Sequence, residues 1–274
     1  MSDPYLAPEL LDHIIDLLHD ARHALGNCSL VSKSWIPRAR KHLFADIRFD
    51  TTEKLQLWTK VFTNPSTSPA HYAKTLSIDC PHLVTAVDAE EGGWIRAFSQ
   101  IEQLEVGRNA VPRNTPVIPL LPFHGLSPVV KTLRIDFTLL SSSKVFDLIF
   151  SFPLLEDLTA VTYNTRLADN GNGPDDPSTT AQPSSSPTFT GSLTLRRGGM
   201  ERLVNRLLSL PGGIHFRKLD LTWFREEDSL LAAALVDRCS HTLESLDVSC
   251  EEVPGTSIRY PYPPSATYFR FQSG

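Results

Sequence analysis

Eight short segments of this chain share one form, apolar and polar residues in alternation. They read "IRFD" (47–50), "LSID" (76–79), "LEVG" (104–107), "LRID" (133–136), "LTAV" (158–161), "LTLR" (193–196), "LDLT" (219–222) and "LDVS" (246–249), with "LTAV" the weakest copy. Such alternation belongs to a β-strand with one buried face, because successive side chains point to opposite sides of the backbone. The lead positions Ile47, Leu76, Leu104, Leu133, Leu158, Leu193, Leu219 and Leu246 are spaced by 29, 28, 29, 25, 35, 26 and 27 residues. Three positions upstream of most leads stands another apolar residue: Phe44, Ala73, Ile101, Val130, Leu155, Phe216 and Leu243, with Thr190 breaking the rule. This is a structural repeat. A unit of that length cannot bury its apolar face alone, so neighbouring units must stack.

The intervals carry helix signals. "SSSKVFDLIFSF" (141–152) places Val145, Ile149 and Phe152 on one face behind a serine run suited to N-capping. "GGMERLVNRLLSLPGG" (198–213) carries Leu203, Leu207, Leu208 and Leu210 before a Pro-Gly-Gly stop. "EEDSLLAAALVDRC" (226–239) begins acidic and ends on Arg238, in the sense the helix dipole favours. Asp50 with Glu53 three residues on predicts a capping box before Leu55, Trp58 and Phe62. The predicted fold class is α/β, a solenoid over residues 45–253 with a parallel concave sheet inside and helices outside. A doubly wound α/β domain would also alternate strands and helices, but equal spacing and short strands count against it. The one long interval contains "NTRLADNGNGPDDPSTTAQPSSSP" (164–187), which has no aromatic residue and reads as a disordered insertion. Residues 254–274 read as a Pro-rich C-terminal tail without a capping helix.

The first half of the leucine-rich repeat, L-x-x-L-x-L, is matched by "IEQLEV", "FRKLDL" and "LESLDV", and the solenoid resembles that family. The Asn that follows this motif in the family, and builds a hydrogen-bonded ladder there, is absent from every unit.

Before the first strand, residues 6–44 show three helical segments. Pro8 suits the first turn of a helix over about 8–19. On it Leu10, Leu11, Ile14, Ile15, Leu17 and Leu18 cover about 160° of the wheel, more than the stripe of roughly 100° that faces one core. A second helix over about 21–33 carries Ala24, Cys28 and Val31. Pro37 ends it and opens a third, with Ser34 as cap, Trp35 and Ile36 at the corner, and Ala39 and Leu43 continuing the stripe. About forty residues without a metal or a disulfide bury too little surface to stand alone. The surplus apolar face is therefore expected to be covered by the repeats, by another chain, or by both.

"LAPELLDHIIDLL" (6–18) and "LGNCSLVSKSWIPRARKHLF" (25–44) together resemble an F-box, in the form common in mushroom-forming fungi. The matching features are Leu6 with Pro8-Glu9, the Leu/Ile stripe of helix 1, Cys28 to Ser32, Trp35 and Leu43-Phe44. The resemblance spans residues 1–44 and implies a three-helix unit that docks a Skp-type adaptor, and through it a cullin, in a cullin–RING ubiquitin ligase. It makes Leu6, Pro8, Leu10, Leu11, Ile14, Leu18, Val31 and Trp35 the adaptor-binding set, and gives the repeats the task of choosing an unknown protein substrate.

Polar members of the strand motifs should line the concave face. The candidate substrate-binding residues are Glu105, Arg134, Asp136, Arg196, Asp220 and Asp247, with Trp223, Phe224 and Arg225, residue types enriched at binding hot spots. The rival reading is a helix-turn-helix-like DNA-binding protein. Arg22, Lys33, Arg38, Arg40, Lys41 and Arg48 outnumber Asp46 between 21 and 48, and Gly26 would mark the bend. Glu9, Asp12, Asp16 and Asp20 on helix 1 oppose it, as does a net charge of −5.

No stretch approaches the roughly 20 apolar residues of a membrane span. The N-terminus has no basic region before its apolar segment, which Glu9, Asp12 and Asp16 interrupt, so no secretory signal is expected. Cysteines 28, 80, 239 and 250 form no C-x-x-C pair, which predicts reduced thiols, no metal and a cytoplasmic or nuclear protein. With no nucleophile elbow, phosphate loop or H-E-x-x-H, neither an enzyme nor a cofactor is expected.

Overall fold

The structure is a computed structural model. It describes residues 7–64, 66–79, 93–107, 126, 129–136, 146, 148–161, 187, 189–196, 201–224, 229–250 and 269–272, with backbone alone at 93, 223, 224, 250 and 269–272.

Three helices open the chain: α1 (Pro8–Leu17), α2 (Arg22–Val31) and α3 (Ile36–Leu43). Pro8 starts α1 and Pro37 lies in the first turn of α3, where a missing N–H costs nothing. Ser34 is not the cap of α3. Trp35 holds that position without a capping side chain, and the Ser32 hydroxyl instead accepts the Ser34 N–H at 3.3 Å. Ile15, Leu25, Cys28 and Ala39 form a small core, lined by Leu18, Trp35 and Leu43. Trp35 thus closes the corner, half-buried.

The strands are β1 (Asp46–Phe49), β2 (Thr75–Ile78), β3 (Gln103–Val106), β4 (Thr132–Asp136), β5 (Asp157–Val161), β6 (Ser192–Arg196), β7 (Lys218–Phe224), β8 (Ser245–Cys250) and β9 (Phe269–Gln272). They lie side by side in chain order. A doubly wound sheet would reverse that order at a switch point. From β1 to β8 every pairing is parallel, whereas β9 runs antiparallel to β8. The 254–274 stretch is therefore not wholly a tail, since part of it adds a strand to the sheet edge.

All eight lead residues stand in one transverse row, Ile47 opposite Leu76, Leu76 opposite Leu104, and so on to Leu246. Parallel strands in register put equivalent side chains at the same height, so the leads stack into one core. From Ile47 to Leu219 they are at most 6% exposed. Helices α4 (Thr52–Val61), α6 (Glu201–Leu208) and α7 (Ser229–Cys239) add Leu55, Leu203, Val204, Leu207, Leu235 and Cys239 to that core, and the short α5 (Gly93–Arg96) adds Ile95. The N-cap of α4 is Thr51, one residue past Asp50, and the N3 position is Lys54, which cannot close a capping box. Thr51 caps α4 by accepting the Lys54 N–H, and Asp50 pairs with Lys54 Nζ at 2.7 Å. Ile149 and Phe152 are buried as the pattern requires, while Val145 and the serine run before it lie outside the described residues. So does 164–187, apart from Pro187.

In place of an Asn ladder, backbone carbonyls stitch the units together. The carbonyl two positions before a lead accepts two N–H groups from the next unit. Ala45 accepts from Lys74 and Thr75 at 2.8 and 3.0 Å, and Lys74, Glu102, Lys131, Gly191 and Arg217 repeat the arrangement. Side chains at these same positions alternate in charge, giving Lys74–Glu102 at 2.6 Å, Lys131–Glu156 at 3.7 Å and Arg217–Glu244 at 3.7 Å. Each pair is about half-exposed and contributes about 0–1 kcal/mol.

The step from β5 to β6 departs from this scheme. Among the described residues Glu156 O accepts the Gly191 N–H alone, while the Ser192 N–H turns to Asp157 Oδ1 at 2.6 Å. A Cβ on Gly191 would sit 2.4 Å from that carboxylate oxygen, so the arrangement requires glycine. Just before it, Phe189 takes the buried slot that Thr190 leaves unfilled. It does so at φ 44, in the left-handed region, with its ring 5.3 Å from that of Phe216.

Candidate functional site

The first candidate surface lies on α1 and α2. Ile15 is the residue of α1 that reaches the small core, at 1% exposure. That rotation leaves Leu10, Ile14 and Leu17 on the outside at 54, 43 and 68%, a stripe at i, i+4 and i+7. On α2 the inward residues are Leu25 and Cys28, which leaves Leu30 and Val31 outside at 84 and 67%.

Asp16, next to the buried Ile15, ties α1 to α3 in that rotation. Its carboxylate accepts from Arg38 Nε at 2.6 Å, takes a second guanidinium contact on the other oxygen, and meets His42 Nε2 at 2.7 Å. Two groups of α3 thus grip one acid of α1. Hydrogen bonds from Arg38, then from His42, hold the Asp16 carboxyl well below the usual carboxylate range.

The expected adaptor-binding set divides on this geometry. Pro8, Leu10, Ile14 and Val31 are exposed, and Leu11 is half-buried. Leu18 and Trp35 pack against the small core, so their first task is to hold the helices together. Leu6 lies outside the described residues. The helical wheel grouped Leu17 with the rest of the stripe without marking it as outward, and Leu30 was missed. Both are legible once Ile15, Leu25 and Cys28 are known to point inward, because each lies off that face. Half of the basic set of the DNA-binding reading is engaged within the chain. Arg22 donates to Asp46 O at 3.1 Å, Arg38 grips Asp16, and Arg48 meets Asp79 at 2.6 Å.

The second candidate surface is the face of the sheet opposite the core. Arg48, Ser77, Glu105, Arg134, Thr159, Thr194, Asp220 and Asp247 form one transverse row on it. Much of this face satisfies itself. Arg48 neutralises the fully covered Asp79 side chain by a charge contact rather than a well-directed hydrogen bond. Glu105 accepts from Ser77 Oγ at 3.0 Å and from Gln103 Nε2 at 3.1 Å. Asp220 accepts from the Thr222 hydroxyl and lies 3.7 Å from Arg196. One expectation fails here. Asp136 shares the strand face of Arg134 by alternation, yet it is only 4% exposed and offers nothing to a partner from solution. Arg134 is half-buried, and Arg196 and Asp247 are exposed. Trp223 and Phe224 close β7, where the register with β8 shifts between Thr222 and Phe224, and Arg225 lies outside the described residues.

Among the described residues no group of three or more His, Cys, Asp and Glu is placed to hold a metal ion. None of the described helices is long and apolar enough to cross a membrane. Compared with known proteins, the chain matches no family model, no curated protein and no solved structure.

Proposed function

We propose that this chain is the substrate-recognition subunit of a cullin–RING ubiquitin ligase of the Skp–cullin–F-box type, α1–α3 docking a Skp-type adaptor and the sheet holding the substrate. The observation that carries the reading is the exposed apolar stripe of Leu10, Ile14 and Leu17 on α1, with Leu30 and Val31 exposed on α2 as well. Single exposed apolar residues are ordinary on a soluble protein, whereas concentrated ones mark a docking surface. The likeness of residues 6–44 to an F-box supplies the partner, and the open face of the parallel sheet supplies a separate place for substrate.

Co-expression with a Skp-type adaptor tests it. The wild-type chain should recover the adaptor, and Leu10→Asp with Ile14→Asp should lose it while circular dichroism and the unfolding midpoint stay put, since both side chains point away from the small core. An adaptor that is never recovered, or that the double variant still recovers, sinks the reading.

A further inference from the structure

Polar groups on the open face of the sheet answer one another almost everywhere, and the exception lies at its centre. In the transverse row, Arg134 of β4, Thr159 of β5 and Thr194 of β6 are direct neighbours in register. All three are half-buried. Among the described residues none of their side chains has a hydrogen-bond or ion-pair partner, although acids stand on every side. Glu105, the neighbour of Arg134 on β3, turns its carboxylate to Ser77 and Gln103. Asp136, two residues along β4, is buried. Asp220, beyond Thr194, is engaged by Thr222 and Arg196. Asp157, two residues before Thr159 on β5, accepts from both the N–H and the hydroxyl of Ser192 at 2.6 Å.

Three adjacent side chains that can donate hydrogen bonds, one of them a permanent cation, make a receptor for negative oxygen. With strands about 4.8 Å apart the row spans roughly 10 Å, enough for one anionic side chain and the backbone beside it. A guanidinium fork matches a carboxylate or a phosphate, and half-burial strengthens the contact over one in open solvent.

We propose that Arg134, Thr159 and Thr194 form the anion-anchoring subsite of the open face, taking a carboxylate or phosphate group of an extended protein segment. This rests on the reading of the open face as the substrate surface, and it specifies the substrate class, a segment with an acidic or phosphorylated residue rather than a basic one.

The test uses the full chain and immobilised peptides that differ at one central residue, glutamate, phosphoserine, serine or lysine. Retention of the glutamate or the phosphoserine peptide, weakening with salt, is the expected result, and whichever is held identifies the source of the anion. Arg134→Gln should weaken that retention by about tenfold or more. Thr159→Val with Thr194→Val, which keeps the branched shape, should weaken it less. Arg217→Gln, at the strand-entry edge, should leave it unchanged. Equal retention of the serine or lysine peptide, no retention of any peptide, or indifference to Arg134→Gln overturns the inference. Adaptor recovery is read from the same preparations. Adaptor without anionic peptide removes this subsite and spares the ligase reading, and anionic peptide without adaptor does the reverse.

Discussion

The helical unit gathers only four side chains into its core and leaves five large apolar ones in solvent, whereas the sheet holds its lead residues from Ile47 to Leu219 at 6% exposure or less. The contrast follows from geometry. A repeat in register gives every lead residue neighbours above and below, so each added unit closes the one before it. Three helices of eight to ten residues have no such continuation, and α1 is apolar on more sides than α3 can cover. The stacked core of the sheet closes on itself, although Leu57, Val61, Leu154 and Leu230 stay exposed on the repeats. The helical unit leaves more of its apolar surface uncovered than it buries in its own small core.

Truncating one leucine in each region should separate the two most clearly. Leu133→Ala should cost about 2–5 kcal/mol in urea unfolding, because it opens a cavity in the stacked core. Leu17→Ala should shift the same measurement by no more than about 0.5 kcal/mol. Comparable losses would mean that α1 is packed within the chain after all.

A smaller effect is expected at the irregular step of the sheet. Gly191→Ala forces a Cβ onto the Asp157 carboxylate and should cost about 1–3 kcal/mol. Combining it with Asp157→Ala should cost less than the sum of the two, since the collision is then gone. Strict additivity would show that the glycine answers to the Glu156 carbonyl, 3.0 Å from the same Cβ, and not to Asp157.

The gentlest change concerns the grip of α3 on α1. A carboxyl whose folded pKa lies below its unfolded value of about 3.9 contributes its full stabilisation above that pH and loses it as pH falls toward the folded value. Asp16 is such a group. Protection of α1 amides, taken relative to their intrinsic exchange at each pH, should therefore hold from neutrality down to about pH 4 and fall below it. Asp16→Asn should exchange faster at neutral pH and lose the Asp16 part of the acid step. An unchanged rate in the variant would leave the rotation of α1 to packing alone.

The repeat was legible because alternation and spacing are properties of the sequence itself, and the eight leads fell in the predicted row. Caps were less so. Ser34 and Asp50 have the right chemistry, but which of several neighbouring polar residues turns inward depends on where the chain enters the helix, and Thr51 won over Asp50 by that criterion. Thr190 looked like a break in the upstream apolar rule. The structure mends it by moving Phe189 into the slot at a positive φ, a backbone choice that no pattern of residue types announces. The charge ladder was in plain view, with Lys74, Glu102, Lys131, Glu156, Arg217 and Glu244 all two residues before a lead, and only the register makes it meaningful. Asp136 was misjudged because alternation gives the face of a side chain and not what lies above it.

If the proposed function holds, the adaptor covers the exposed apolar residues of α1 and α2 and leaves the strands free for substrate. Hydrogen–deuterium exchange of the full chain, with and without a Skp-type adaptor, tests it most directly. Slowed exchange in residues 8–17 and 22–31 is expected on adaptor addition, with β2 to β7 unchanged. Protection spread over the strands, or none in α1 and α2 at adaptor concentrations that saturate the pull-down, would contradict it.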